Sequence, residues 1–337
     1  MWAKIYDINS FLKTLTPYKI WNGVLILTSY YWSRLFGKGN CHGLPVSISV
    51  EPTTHCNLRC PQCISGLRDF SRPTGSIQLK NFEKIIEQSY RHLAYLLLYF
   101  QGEPYLNPSF LDMVRKASNK KIYTATSTNG HYLGQFAEET VTSGLNRLII
   151  SIDGTDQQSY SRYRIGGNLQ RVIEGTRALV RAKRKHKSRT PFIIFQFIVM
   201  RHNEHQLEDI VQLSKSLGVD DLQLKTVQVY DEEGVDLIPS NSKYARYFQL
   251  NGSFSIKNKL LNHCWKMWHS CVITWDGKVV PCCFDKDADQ AMGNIEKESL
   301  KEIWQGEDYQ KFRSKILGSR SNVDMCTNCT EGTKVFV

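Results

Sequence analysis

Three cysteines within eight residues constrain this chain more than any other feature. They lie in the run Glu51-Pro52-Thr53-Thr54-His55-Cys56-Asn57-Leu58-Arg59-Cys60-Pro61-Gln62-Cys63, spaced C-x3-C-x2-C. Four thiolates close a structural zinc site or an iron–sulfur site, whereas three leave one metal position open to an outside ligand. The loop follows Pro45 to Val50, where Val46, Ile48 and Val50 alternate with serines as a strand would. A metal-binding loop at the carboxyl end of a first strand is where an α/β barrel places its chemistry.

Between residue 46 and about residue 229, strand-like and helix-like patterns alternate six times. Strands are expected at Tyr95 to Phe100, Ile122 to Thr126, Arg147 to Ile152, Phe192 to Val199 and Asp221 to Val229. Helices between them show one apolar face, as with Phe82, Ile85, Ile86 and Leu93, or Leu169, Val172, Ile173, Leu179 and Val180. Apolar strands with helical crossovers predict an α/β fold with a helix-covered parallel sheet. Six units are too few to close an eight-stranded barrel, so the expectation is a partial (β/α)6 TIM-like barrel. Residues 1–45 are expected as a helical extension, 230–261 as a linker and 262–337 as a small cysteine-bearing domain. In that domain Asp276-Gly277 signals a β-hairpin.

The motifs after the strands resemble those of the radical S-adenosylmethionine (SAM) superfamily. The cysteine trio matches that family's spacing, with Gln62 where an aromatic residue is usual. Gln101-Gly102-Glu103-Pro104 is similar to its G-G-E-P element, with Gln101 in place of the first glycine. Ser127-Thr128-Asn129-Gly130 is similar to its T-N-G element. The resemblance implies a 4Fe–4S cluster on Cys56, Cys60 and Cys63 whose open iron chelates the amino and carboxylate groups of SAM. Reductive cleavage of the sulfonium would then release a 5′-deoxyadenosyl radical. It further implies SAM contacts from Gln101, Gly102, Glu103, Ser127, Thr128, Asn129, Ser151, Asp153 and Arg164. Glu103 is expected to anchor its loop, and Arg164 is preferred to Arg162 as the guanidinium aimed at SAM. Tyr99, Gln196 and Lys225, polar residues within apolar runs, are candidate substrate contacts, with structural hydrogen bonds or solvent exposure as the competing account.

The C-terminal cysteines resemble the SPASM/twitch extension of the same superfamily. Cys264, Cys282, Cys326 and Cys329 are the expected ligands of one auxiliary 4Fe–4S cluster, with zinc on the same thiols as the alternative. Cys271 and Cys283 are left as packing thiols. A single auxiliary cluster implies an electron acceptor, hence an oxidoreductase that dehydrogenates a sugar, cyclitol or related metabolite. Peptide or protein maturation is the second reading, and a non-catalytic metal-binding protein the third. A flavodoxin- or ferredoxin-like reductant is implied as partner.

Ten cysteines without a cleavable leader suggest a reducing, cytoplasmic setting. The net charge of +11 is diffuse. Its densest run, Arg181 to Arg189, ends a helix where cations suit the dipole and lacks interleaved aromatics, so no nucleic-acid partner is expected. Ile20 to Ser33 is uncharged but too short to span a bilayer. It is expected to pack against the barrel, with peripheral membrane contact through residues 20–36 as the alternative.

Overall fold

The computed structural model describes residues 2–250 and 253–330. Two helices lead, α1 (Trp2–Leu12) and α2 (Pro17–Phe36). Thr16 caps α2 by accepting from the Lys19 amide at 3.3 Å, Pro17 supplies its first turn, and Gly37 ends it in the left-handed region (φ +67°). Six strands then run parallel and in chain order: β1 (Ser47–Val50), β2 (Tyr95–Leu97), β3 (Tyr123–Thr128), β4 (Arg147–Ser151), β5 (Phe192–Val199) and β6 (Asp221–Thr226). Their crossover helices are Leu79–Ser89, Phe110–Asn119, Leu133–Thr142, Leu169–Lys185 and Leu207–Leu217. Ile48, Leu96, Leu148, Ile150, Ile193 and Phe195 face those helices and are fully buried, so one core lies between sheet and helices.

After β6 the connecting segment carries short elements of its own. Short 3-10 turns at Glu233–Leu237 and Ser242–Tyr244 precede a two-stranded antiparallel sheet, β7 (Tyr247–Leu250) with β8 (Ser253–Ile256). The predicted hairpin around Asp276-Gly277 forms as β9 (Ser270–Ile273) and β10 (Lys278–Val280), with β11 (Gly293–Asn294) beside it. Gly277 holds φ +83° and its amide donates to Thr274 O at 3.0 Å, closing the turn.

This hairpin does not stand apart from the barrel. β9 pairs parallel with β1, Ser47 opposite Ser270 and Val50 opposite Ile273, which makes one nine-stranded sheet in the order β11-β10-β9-β1-β2-β3-β4-β5-β6. A buried ion pair ties the seam. Arg72 donates to both Glu51 oxygens, at 2.9 and 2.6 Å, and the Trp275 amide donates to the same carboxylate at 3.2 Å.

Candidate active site

At the carboxyl ends of β1 to β4, one cavity is lined by Cys56, Cys60, Cys63, Tyr99, Gly102, Glu103, Ser127, Thr128, Asn129, Ser151 and Arg164. Its volume is about 50 Å³. Residues up to 108 positions apart meet there because parallel strands end on the same edge of a sheet.

Glu103 builds the frame rather than presenting itself to a ligand. It is buried, accepts from Thr128 Oγ1 and the Asn129 amide at 2.7 Å each, and also accepts from the Tyr105 amide at 3.3 Å. It thereby clamps the loop after β2 to the loop after β3. Burial outweighs these donors and lifts its carboxyl to about 7. Asn129 carries the clamp onward: its Nδ2 donates to Asn57 Oδ1 at 2.7 Å and lies 3.9 Å from Cys56 Sγ, and its Oδ1 accepts from the His131 amide at 3.1 Å. Gly102 sits at φ +71°, where a Cβ would come within 2.3 Å of Thr53 O and 2.7 Å of His55 O. Only glycine lets the β2 loop pass so close to the segment leading from β1 into the cysteines.

Arg164 and Asp153, both expected at the site, take different places in it. Asp153 is fully buried and is not on the cavity wall; its Oδ2 accepts from Arg164 Nε at 2.6 Å and its Oδ1 from the Ile198 amide at 2.7 Å. Arg164 lines the cavity, with Nη1 3.8 Å from Cys60 Sγ. The carboxylate is therefore a positioning group for the guanidinium. Gln101 is buried beside the cavity without lining it. Gln196 lies opposite Ser151 in the β4–β5 register and is half-buried, whereas Lys225, on the edge strand β6, is exposed. Neither lines the cavity with the cysteines. Tyr99 does.

Gln62, which takes the place of the aromatic usual in the motif, is a brace. Its Nε2 donates to Asp231 Oδ1 at 3.0 Å and its Oε1 accepts from the Tyr230 amide at 2.9 Å, fastening the cysteine loop to the segment after β6. No sequence signal marks this contact, because the partners are 169 residues apart. Ser65 and Gly66 also went unread. Ser65 Oγ accepts from the Gly102 amide at 2.9 Å, and a Cβ on Gly66 would stand 2.5 Å from the Cys60 backbone.

The second cysteine set meets as well. Cys264, Cys282, Cys326 and Cys329 line one small, closed cavity with Lys266, Met267, Phe284 and Arg320. Arg320 is buried, and its guanidinium lies 3.3 Å from Cys329 Sγ. Cys271 is buried in β9 against β1 as a packing thiol. Cys283 is half-buried and receives a long contact, 3.6 Å, from Lys266 Nζ, a polar neighbour that pure packing would not require.

Both sets fit a polynuclear cluster. Burial pushes the Cys56 thiol up to about 12 and Cys326 to about 11, so at neutral pH these sites hold thiolates only if a cation replaces the protons. In each set the thiols line the wall of one shared space.

Fold and site together define an enzyme of the radical SAM class with an iron–sulfur extension. Residues 50–214 match the radical SAM superfamily, and residues 264–330 match SPASM, an iron–sulfur cluster-binding domain. The chain belongs to that superfamily, and the two domains imply 4Fe–4S clusters and SAM as its cofactors. It is 26% identical over 322 residues to the tungsten-containing aldehyde ferredoxin oxidoreductase cofactor-modifying protein of Pyrococcus furiosus, covering 83% of this chain and 86% of that one. Its fold is similar to that of BtrN in complex with AdoMet and 2-DOIA, with TM-score 0.53, 18% identity, and 86% of this chain and 94% of that one covered. It is also similar to Streptococcus suis SuiB bound to S-adenosylmethionine, with TM-score 0.64, 15% identity, and 86% and 73% covered. Among the described residues, no helix is long and apolar enough to cross a membrane.

Proposed function

We propose that this radical SAM enzyme dehydrogenates a small polar metabolite, a sugar, cyclitol or related alcohol. In this reading Cys56, Cys60 and Cys63 hold the SAM-binding cluster, and Cys264, Cys282, Cys326 and Cys329 hold an auxiliary cluster through all four thiols. When bound, the first cluster with SAM would supply radical chemistry for hydrogen-atom abstraction, and the auxiliary cluster would supply an acceptor for the electron released when a carbinol, having lost a hydrogen atom and a proton, is oxidised to a carbonyl.

The chain's own residues have separable tasks. Arg164 offers a guanidinium fork to the SAM carboxylate, held in place by Asp153. Ser127, Thr128, Asn129 and Ser151 present hydroxyl and amide groups on the same wall. Glu103 and Gly102 fix how far apart the β2 and β3 loops stand.

One observation carries the choice of a small substrate. A second cavity of about 360 Å³ shares Cys63 with the first and opens toward the C-terminal domain, lined by Gln62, Asp69, Tyr230, Asp231, Phe284, Asp285, Lys286 and Asp287 among others. Its size sits at the lower end of small-molecule pockets, and five aspartates and Lys286 stand among its apolar side chains, polar groups that could engage the hydroxyls of a small metabolite. Peptide maturation is the second reading, favoured by the fold likeness to SuiB, one structure of which is bound to the precursor peptide SuiA (TM-score 0.63). A low-potential reductant of the flavodoxin or ferredoxin type is the implied partner, and a reducing compartment the implied setting.

The test is anaerobic turnover of reconstituted protein with SAM and a chemical reductant. The wild type should form 5′-deoxyadenosine and Cys60→Ala none. Deuterium carried from a labelled alcohol into that nucleoside would support the dehydrogenase reading, and deuterium from a labelled peptide would replace it with maturation.

A further inference from the structure

Helix α2 leaves most of its large apolar side chains exposed. The side turned to the protein buries, beside Ile26 and Tyr30, four polar residues, Lys19, Asn22, Ser29 and Ser33. Each is satisfied there. Lys19 Nζ donates to Lys121 O at 2.7 Å, Asn22 exchanges hydrogen bonds with the Leu44 backbone at 2.7 and 2.8 Å, Ser29 Oγ accepts from the His42 amide at 3.0 Å, and Ser33 Oγ donates to Asn40 O at 2.9 Å. The outward side is apolar. Wound at about 3.6 residues per turn, Ile20, Trp21, Leu27, Tyr31, Trp32 and Leu35 fall on one half of the helix, and they are 46–75% exposed. Thr28 is the one polar residue in that arc, and its hydroxyl turns back to Val24 O at 3.0 Å. Thirteen of the twenty exposed large hydrophobic residues among those described lie in α1 and α2, so exposed apolar side chains are concentrated in this extension.

Charge decides what covers it. From residue 8 to residue 50 the chain has no aspartate or glutamate. Lys13, Arg34 and Lys38 are exposed around the apolar arc. The basic end of helix Leu169–Lys185 adds to this: the Arg189 guanidinium lies 3.8 Å from the centre of the Tyr6 ring on α1, which sets Arg184, Lys187 and Arg189 beside the extension. A second copy of the chain would bring cations against cations. An anionic bilayer complements them, and tryptophan and tyrosine at the edge of an apolar face suit the headgroup boundary.

We infer that α1 and α2 form a docking surface for an anionic membrane, on which the enzyme lies with the outer face of α2 sunk into the interface. This goes beyond the proposed chemistry and does not depend on it. The rim cations would draw the chain to the surface, and the apolar arc would hold it there.

The test is flotation of the full-length holoprotein with vesicles of phosphatidylglycerol and phosphatidylcholine at low salt, beside vesicles of phosphatidylcholine alone. Most of the wild type should float with the anionic vesicles, and much less with neutral ones. The variant Trp21→Ser/Leu27→Ser/Trp32→Ser/Leu35→Ser alters exposed side chains only, so its yield of 5′-deoxyadenosine should match the wild type while its floated fraction falls at least about tenfold. Arg34→Glu/Lys38→Glu should lose anionic preference. Wild-type protein left in the aqueous fraction would overturn the inference. So would a stable wild-type dimer that becomes monomeric in the serine variant while neither form floats.

Discussion

Asp153→Asn is the substitution that most sharply tests how the SAM pocket is held. In the wild type, Arg164 and Asp153 form an ion pair with side chains 13% and 0% exposed and Nε–Oδ2 at 2.6 Å. Asparagine can still accept from the Ile198 amide but cannot balance the guanidinium charge. Stranding one member of such a pair costs about 3–5 kcal/mol. A chain of this size converts each kcal/mol into about 2 °C, so a melting shift of about 6–10 °C is expected. Arg164→Met strands Asp153 instead and should cost a similar amount. The double variant removes both charges and should return to within about 1 kcal/mol of wild type, since replacing a buried pair by neutral groups is often neutral. SAM affinity, measured by calorimetry on the reconstituted protein, separates structure from function. It should fall in all three variants and stay low in the double variant, where stability recovers but the guanidinium is absent. Recovery of SAM binding in the double variant would refute the argument, as would an Asp153→Asn melting point within about 1 °C of wild type.

Three other outcomes follow from the same geometry. Gly102→Ala needs a left-handed conformation costing about 1–2 kcal/mol, and its Cβ would meet rigid backbone at 2.3 Å, so thermal denaturation should show a loss larger than strain alone and SAM binding should weaken. Glu103 has its folded-state pKa raised from 4.5 to about 7, so its contribution is fully present below about pH 4.5 and lost as pH rises through 7. Denaturant titrations of the apoprotein should show stability falling over that window by an amount on the order of 3 kcal/mol from this group, and Glu103→Gln should flatten the slope. Cys282→Ala should cut bound iron by about half while 5′-deoxyadenosine still forms, and full iron content in that variant would remove Cys282 from the ligand set.

Much of the barrel was legible because each strand is a short apolar run bounded by polar residues, and the site residues stand immediately after those runs. Phe192 to Val199 was placed to the residue. The strand after Asp221 was drawn too long, since Val227 and Val229 are apolar yet lie beyond β6, buried among the residues that pack beneath the cysteine loop. The Asp276-Gly277 hairpin was readable from its turn, but not its seat on the edge of β1. That pairing joins Ser47–Val50 to Ser270–Ile273, and nothing local in either segment names the other. The β7–β8 hairpin was missed despite its signal, Asn251-Gly252 between Tyr-Phe-Gln-Leu and Ser-Phe-Ser-Ile. The division of labour between Asp153 and Arg164, and the brace from Gln62 to Asp231, depend on which way side chains turn once the loops meet. For α2, an uncharged run suggested packing against the barrel. It does pack, through Ile26 and Tyr30 and four buried polar residues, while most of its large apolar side chains stay exposed.

The central claim is that Cys56, Cys60 and Cys63 grip a 4Fe–4S cluster whose uncovered iron takes SAM. The direct measurement is electron paramagnetic resonance of anaerobically reduced protein carrying Cys282→Ala and Cys326→Ala, so that the auxiliary signal is removed, recorded with and without SAM. The account predicts a 4Fe–4S signal whose g-values shift when SAM is added and which disappears when Cys60→Ala is included. A spectrum indifferent to SAM, or one that survives loss of Cys60, would contradict it.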